Sequence, residues 1–74
     1  MFAARYIQIG AKIRYYRTIN KMEQITFAEK VGVTPQYLSK IERGNAKPST
    51  DLLFKIADEL GVDITLIMKS DVNV

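Results

Sequence analysis

The stretch Gln24-Ile25-Thr26-Phe27-Ala28-Glu29-Lys30-Val31-Gly32-Val33-Thr34-Pro35-Gln36-Tyr37-Leu38-Ser39-Lys40-Ile41-Glu42-Arg43-Gly44 holds two short helical patterns and the turn between them. Phe27, Ala28 and Val31 share one side of a helix predicted over residues 24–31. Gly32 follows, and without a Cβ it accepts the positive φ that ends a helix. Thr34 is a good N-cap, and Pro35 takes the first helical position, where its missing N–H is harmless. The second helix is predicted over residues 35–43, buries Leu38 and Ile41, and stops at Gly44. Ala28 falls where the two helices would cross most closely, its small side chain letting the backbones approach, while Val33 and Leu38 fill the angle between them.

Upstream, Phe2, Tyr6, Ile9, Ile13 and Tyr16 follow one another at spacings of four and three, which places them on one face of a helix. Arg5, Lys12, Arg14 and Arg17 fall largely elsewhere on its circumference. Gly10 interrupts this pattern at a cost of about 1 kcal/mol relative to Ala, so the helix is expected to be firm only from Ile9 and to end near Asn20, a residue tolerant of left-handed geometry. Downstream, Asn45-Ala46-Lys47-Pro48 reads as a loop, and Ser49 as the cap of a fourth helix with the apolar stripe Leu52, Leu53, Ile56, Ala57 and Leu60 and a stop at Gly61. Asp63 caps a short fifth helix through Met68. The expectation is an all-α, compact five-helix bundle. Residues 1–8 are an N-terminal extension or the start of the first helix, residues 9–69 the domain, and residues 70–74 a flexible tail.

The 74 residues make one small domain. Neither Cys nor His occurs, which excludes disulfides, thiolate nucleophiles, zinc fingers and imidazole metal sites together. No nucleophile–base pair, phosphate-binding loop or metal-ligand cluster is legible, so no catalytic residue, metal or cofactor is assigned and the chain is not expected to be an enzyme. The charge is unevenly spread. Residues 1–47 hold nine Lys/Arg against three Asp/Glu, a net of +6, while residues 48–74 hold two against five, a net of −3. One half therefore offers a basic face to an anionic partner. No apolar run approaches the ~18 residues of a membrane span. The start carries Arg5 and lacks the continuous apolar core of a signal peptide. A soluble, cytoplasmic protein is the expectation.

Two helices joined by a glycine-containing turn occur both in DNA-reading motifs and as plain packing. Further residues favour the former. Ile9-Gly10-Ala11-Lys12-Ile13-Arg14, Gln24, Phe27 through Val33, Tyr37 through Gly44, Lys47-Pro48-Ser49, and Ile56-Ala57 with Leu60-Gly61-Val62 together resemble the helix-turn-helix domain of the phage Cro/repressor (XRE) family. The resemblance runs over residues 9–68 with consistent spacing, and its specificity lies in the combination rather than in any one piece.

The resemblance implies a lambda-repressor-like fold whose third helix lies in the DNA major groove. Carried onto this chain, it makes Thr34, Gln36, Tyr37 and Lys40 the base-reading residues, with Gln36 suited to adenine and Lys40 to guanine. Gln24 takes the position that clamps the DNA backbone, and Arg43, Asn45 and Lys47 are further phosphate contacts. Arg17 and Glu42 occupy the places of a largely buried ion pair that aligns the third helix. The family binds double-stranded DNA as dimers on pseudo-palindromic sites. The apolar fifth helix, with Ile64, Leu66, Ile67 and Met68, is the expected homodimer surface, and the N-terminal Phe2 and Tyr6 are an alternative one.

The chain departs from the family pattern at four positions. Pro35 stands where a polar reader is common, Glu23 where Ser or Thr caps the second helix, Lys21 where Gly is common, and Ile25 at a position that ordinarily faces solvent. The function implied is a sequence-specific transcriptional regulator, a repressor. The alternative is a protein-interaction module such as an antitoxin-type or anti-repressor partner, which would need no basic half.

Overall fold

The computed structural model describes residues 2–69, with side chains from residue 4 onward. Among the described residues there are five helices and no strand: α1 (Phe2–Ile19), α2 (Gln24–Val31), α3 (Pro35–Glu42), α4 (Thr50–Leu60) and α5 (Ile64–Met68). The all-helical, five-helix expectation holds. The tail over 70–74 and the side chain of Phe2 lie outside what is described.

Local chemistry sets the boundaries. Thr34 accepts the N–H of Tyr37 at 3.0 Å, Ser49 that of Leu52 at 3.1 Å, and Asp63 that of Thr65 at 2.9 Å, each satisfying a donor at a helix start. α2 and α4 stop at Gly32 and Gly61. Glu23, at the N-cap of α2, makes no capping hydrogen bond.

The first helix ends at Ile19, near the expected Asn20, but starts before Ile9 and turns out of the helix at a different residue. It runs unbroken through Gly10, from Phe2 to Ile19. Gly10 is a contact residue: a Cβ there would collide with the carbonyl oxygen of Ile41 and lie 2.8 Å from that of Glu42. The intrinsic helix cost of glycine is local, and the close approach of α1 to the end of α3 outweighs it. At the other end, Lys21 rather than Asn20 adopts the left-handed conformation, with φ 58°. Asn20 instead donates its side-chain amide to the Tyr16 carbonyl at 2.8 Å. Gly44, with φ 80°, serves both ends of the same junction, since a Cβ on it would lie 2.6 Å from Ile7 Cα.

α1 packs against α3, α4 and α5, α2 against α3 and α4, and α4 against α5. The core at their centre consists of Ile9, Ile13, Phe27, Ala28, Val31, Leu38, Ile41, Leu53, Ile56, Ala57, Leu60 and Ile67. Fully burying a side chain of this kind contributes about 1.5–3 kcal/mol, and that burial fixes α3 as a rigid element whose outer face is left to solvent.

Candidate nucleic-acid interface

The outer face of α3 begins at Thr34. Its side chain is exposed, but its oxygen is engaged as the cap of α3. Gln36 and Lys40, four residues apart and so on one helical face, are both exposed. Tyr37 is half-buried and packs against the core, which leaves only part of its ring for an outside contact. Pro35 is half-buried at the first helical position. Beyond the helix, Arg43, Asn45 and Lys47 are exposed in the turn and loop that lead to α4.

Beneath this face lies a polar network. Arg17 Nε donates to Glu42 Oε2 at 2.6 Å and Arg17 Nη2 to Glu42 Oε1 at 3.1 Å, the two-pronged geometry in which a guanidinium matches a carboxylate. The side chains are 12% and 3% exposed. Arg17 Nη1 also donates to the Met22 carbonyl at 2.6 Å, which ties in the turn after α1. Gln24 Nε2 donates to Glu42 Oε1 at 2.9 Å. Glu42 is therefore the point where α1, α2 and α3 are held together, and its carboxylate accepts three charge-assisted or neutral donors.

Above Glu42 opens a cleft of about 680 Å³, lined by Arg14, Arg17, Glu23, Gln24, Ile25, Ser39, Glu42 and Arg43. Arg43 Nη1 donates to Ser39 Oγ on the preceding turn. Arg14 and Arg43 bring two guanidiniums to the walls beside the start of α2, where the first backbone N–H groups have no side-chain cap. Donors of that kind suit a phosphate oxygen. Among the described residues no group of three or more acidic, His or Cys side chains is arranged to hold a metal ion, and no helix is long and apolar enough to cross a membrane.

Residues 13–67 match the helix-turn-helix family HTH_3. An uncharacterised HTH-type transcriptional regulator of Methanocaldococcus jannaschii is 43% identical over 53 residues, 72% of this chain and 80% of that protein. The immunity repressor protein of Bacillus phage phi105 is 33% identical over 60 residues, 81% of this chain but 42% of the repressor. Among solved structures, the restriction-modification controller protein C.AhdI of Aeromonas hydrophila superposes with a TM-score of 0.82 at 26% identity, covering 86% of this chain and 97% of that one. The chain belongs to the XRE-type, Cro/repressor-like helix-turn-helix family. The fold is accordingly lambda-repressor-like.

In this XRE-type domain the sites expected from sequence are distributed unevenly. Thr34, Gln36 and Lys40 lie together on the open side of α3, and Arg17, Glu42 and Gln24 meet at one carboxylate. The expected homodimer surface needs correction at Ile67. That side chain is 0% exposed and anchors α5 in the core, so it has no area to offer a partner. Ile64 and Met68 are partly buried against the same core, and Leu66 alone projects, 46% exposed. Tyr6 also packs on the core.

Two features escaped sequence reasoning. Arg14, which the sequence places only on the circumference of α1, lines the cleft; its spacing of three from Arg17 puts the two on neighbouring sides of the helix and is the available signal. The bond from Gln24 to Glu42 links residues eighteen positions apart, and no local pattern encodes it.

Proposed function

We propose that this domain is a sequence-specific, double-stranded DNA-binding transcriptional regulator, a repressor, that places α3 in the major groove. The observation that carries the reading is the exposed pair Gln36 and Lys40 on a helix whose inner side is fixed by the buried Arg17–Glu42–Gln24 network. Gln36 reads adenine and Lys40 reads guanine, with Thr34 and the free part of Tyr37 at the helix start. Gln24, Arg43, Asn45 and Lys47 hold phosphates on either side, joined by Arg14. The immunity repressor and the restriction-modification controller among its relatives support the regulatory reading.

Copies pair through α5, with Leu66 at the contact and Ile64 and Met68 around it, on a pseudo-palindromic site with half-sites about one helical turn apart. Fluorescence anisotropy on duplex DNA from upstream of the gene, against a scrambled duplex, across roughly 50–200 mM salt tests the reading. Tight binding to the upstream duplex alone, weakening by orders of magnitude with salt, is the expected result. Equal and weak binding to every duplex offered would overturn it.

One observation favours the protein-interaction module as a second reading. On α1, Ile7, Tyr15 and Ile19 are about half exposed, apolar area that DNA reading does not use. Stoichiometric co-purification of a second protein that is lost on Tyr15→Glu, with no DNA binding, would select that reading instead.

A further inference from the structure

We propose that Glu23 is a brake on DNA-backbone binding, a carboxylate held in the phosphate-facing cleft that lowers affinity for any duplex without altering which sequence is preferred. The inference rests on the DNA-binding reading and deepens it.

The cleft contains two carboxylates with different fates. Glu42 lies at its base, neutralised by Arg17 at 2.6 Å and further held by Gln24. Glu23 is exposed at the mouth and, among the described residues, has no cation within ion-pairing distance. Nor does it act as a helix cap, since its side chain accepts no hydrogen bond from the start of α2. Its side chain thus makes neither an ion pair nor a cap, and the favourable influence left to it is the dipole at the start of α2. It lines the same cleft as Arg14 and Arg43 and is next in sequence to Gln24. Lys21, two residues before it, is the other nearby cation and lies on the turn.

A phosphate brought toward Arg14, Arg43 and the free N–H groups of α2 meets an uncompensated negative charge at Glu23. The repulsion acts on the backbone, which every duplex shares, and leaves the outer face of α3 untouched. Its size follows from Coulomb's law at the dielectric of water, which suits a solvent-exposed carboxylate: one unit charge removed a few ångströms from one phosphate changes affinity by about three- to tenfold. The effect shrinks as added salt shortens the Debye length toward ~8 Å.

The test is Glu23→Gln, which removes the charge, keeps the length and adds no good cap, titrated with a random-sequence duplex between roughly 50 and 200 mM salt. Glu23→Ser is run beside it, and thermal melts of both are recorded, because Ser also caps α2 and stabilises the fold. Arg43→Ala serves as the control for backbone binding. The expected result is about a three- to tenfold rise in affinity for Glu23→Gln at the low-salt end, narrowing toward the high-salt end, with an unchanged melting temperature and an unchanged ratio between any two duplexes. If Arg43→Ala weakens binding but Glu23→Gln leaves it unchanged or lowers it, the brake is refuted and the DNA-binding reading stands. If neither the wild-type chain nor any variant binds duplex in a salt-dependent way, that reading fails and takes the brake with it.

Discussion

Arg17→Ala is the perturbation that tests the architecture most sharply. The guanidinium makes two hydrogen bonds to Glu42 and one to the Met22 carbonyl, and the Glu42 side chain is 3% exposed. Truncation leaves a buried carboxylate whose remaining partner is the Gln24 amide. Breaking a buried pair from one side costs about 3–5 kcal/mol, because the surviving charge stays desolvated and unpaired. A chain of this length has a total stability of only about 4–11 kcal/mol, so the loss is a large part of the whole. At about 4–8 °C per kcal/mol for a small domain, the melting temperature falls by on the order of 20 °C. Urea unfolding followed by circular dichroism measures the loss, with an unchanged slope showing that the transition remains two-state. The double substitution Arg17→Met with Glu42→Leu removes both charges and is expected to recover most of the stability, since apolar replacement of a whole buried pair is often neutral or better. A loss under 1 kcal/mol in the single variant, or a double variant as unstable as the single one, refutes the reasoning.

Other outcomes follow from the same structure. Lys40→Ala lowers affinity for a specific site by about 1–3 kcal/mol and relaxes the preference at one base pair, whereas Lys47→Ala weakens all duplexes alike and flattens the salt dependence by about 0.9 in log K per log salt; parallel anisotropy titrations separate the two. Gly10→Ala, ordinarily stabilising in a helix, here loses about 1–3 kcal/mol in a thermal melt because its methyl meets the Ile41 and Glu42 carbonyls. If copies pair through α5 as proposed, Leu66→Glu shifts that dimer to monomer in sedimentation velocity while leaving the melting temperature of the monomer nearly unchanged, as expected for an exposed side chain. The Asp63 carboxyl is held below the usual carboxylate range by the Thr65 backbone N–H and then by the Thr65 hydroxyl. Its folded pKa is depressed, so its contribution is present above about pH 4 and is lost as pH falls through the lowered value; Asp63→Asn keeps a capping oxygen and removes that part of the acid dependence, read by melts from neutral pH downward.

The elements were legible because their signals are local. Thr34 before Pro35, Ser49, Asp63 and the glycines at 32, 44 and 61 mark helix ends through backbone and capping chemistry that needs no partner. Phe27, Leu38, Ile41, Leu53 and Ile56 repeat at helical spacing and are all buried. Misreadings arose where a tertiary contact reversed a local preference. Gly10 breaks a helix in isolation but admits α3 in the fold. Lys21 carries a left-handed turn that Asn20 would carry more readily, and Asn20 directs its amide to the Tyr16 carbonyl and across to the Leu60 carbonyl of α4 at 3.4 Å. Ile67 reads as surplus apolar surface because a five-residue helix has too few turns to show which side faces inward.

The candidate site was legible in its outward residues and not in what stands behind them. Gln24 illustrates the difference. A carboxylate accepts hydrogen bonds and donates none, so the contact with Glu42 forces the amide nitrogen of Gln24 inward. One of its two N–H groups is thereby spent. In the proposed complex a single side-chain N–H remains for a phosphate, with its direction already fixed by Glu42. The grip of Gln24 is weaker than that of an unengaged amide but loses less rotamer freedom on binding. Arg14 and Arg43 then supply the charge that the amide lacks, and Glu23 subtracts part of it. The balance of the cleft is consequently set by exposed charges whose substitution leaves the core alone, whereas its geometry is set by Glu42, where any substitution disturbs α1, α2 and α3 together. Under the proposed reading, that division makes backbone affinity adjustable at Arg14, Glu23 and Arg43 without loss of fold, and it leaves sequence preference to Gln36 and Lys40.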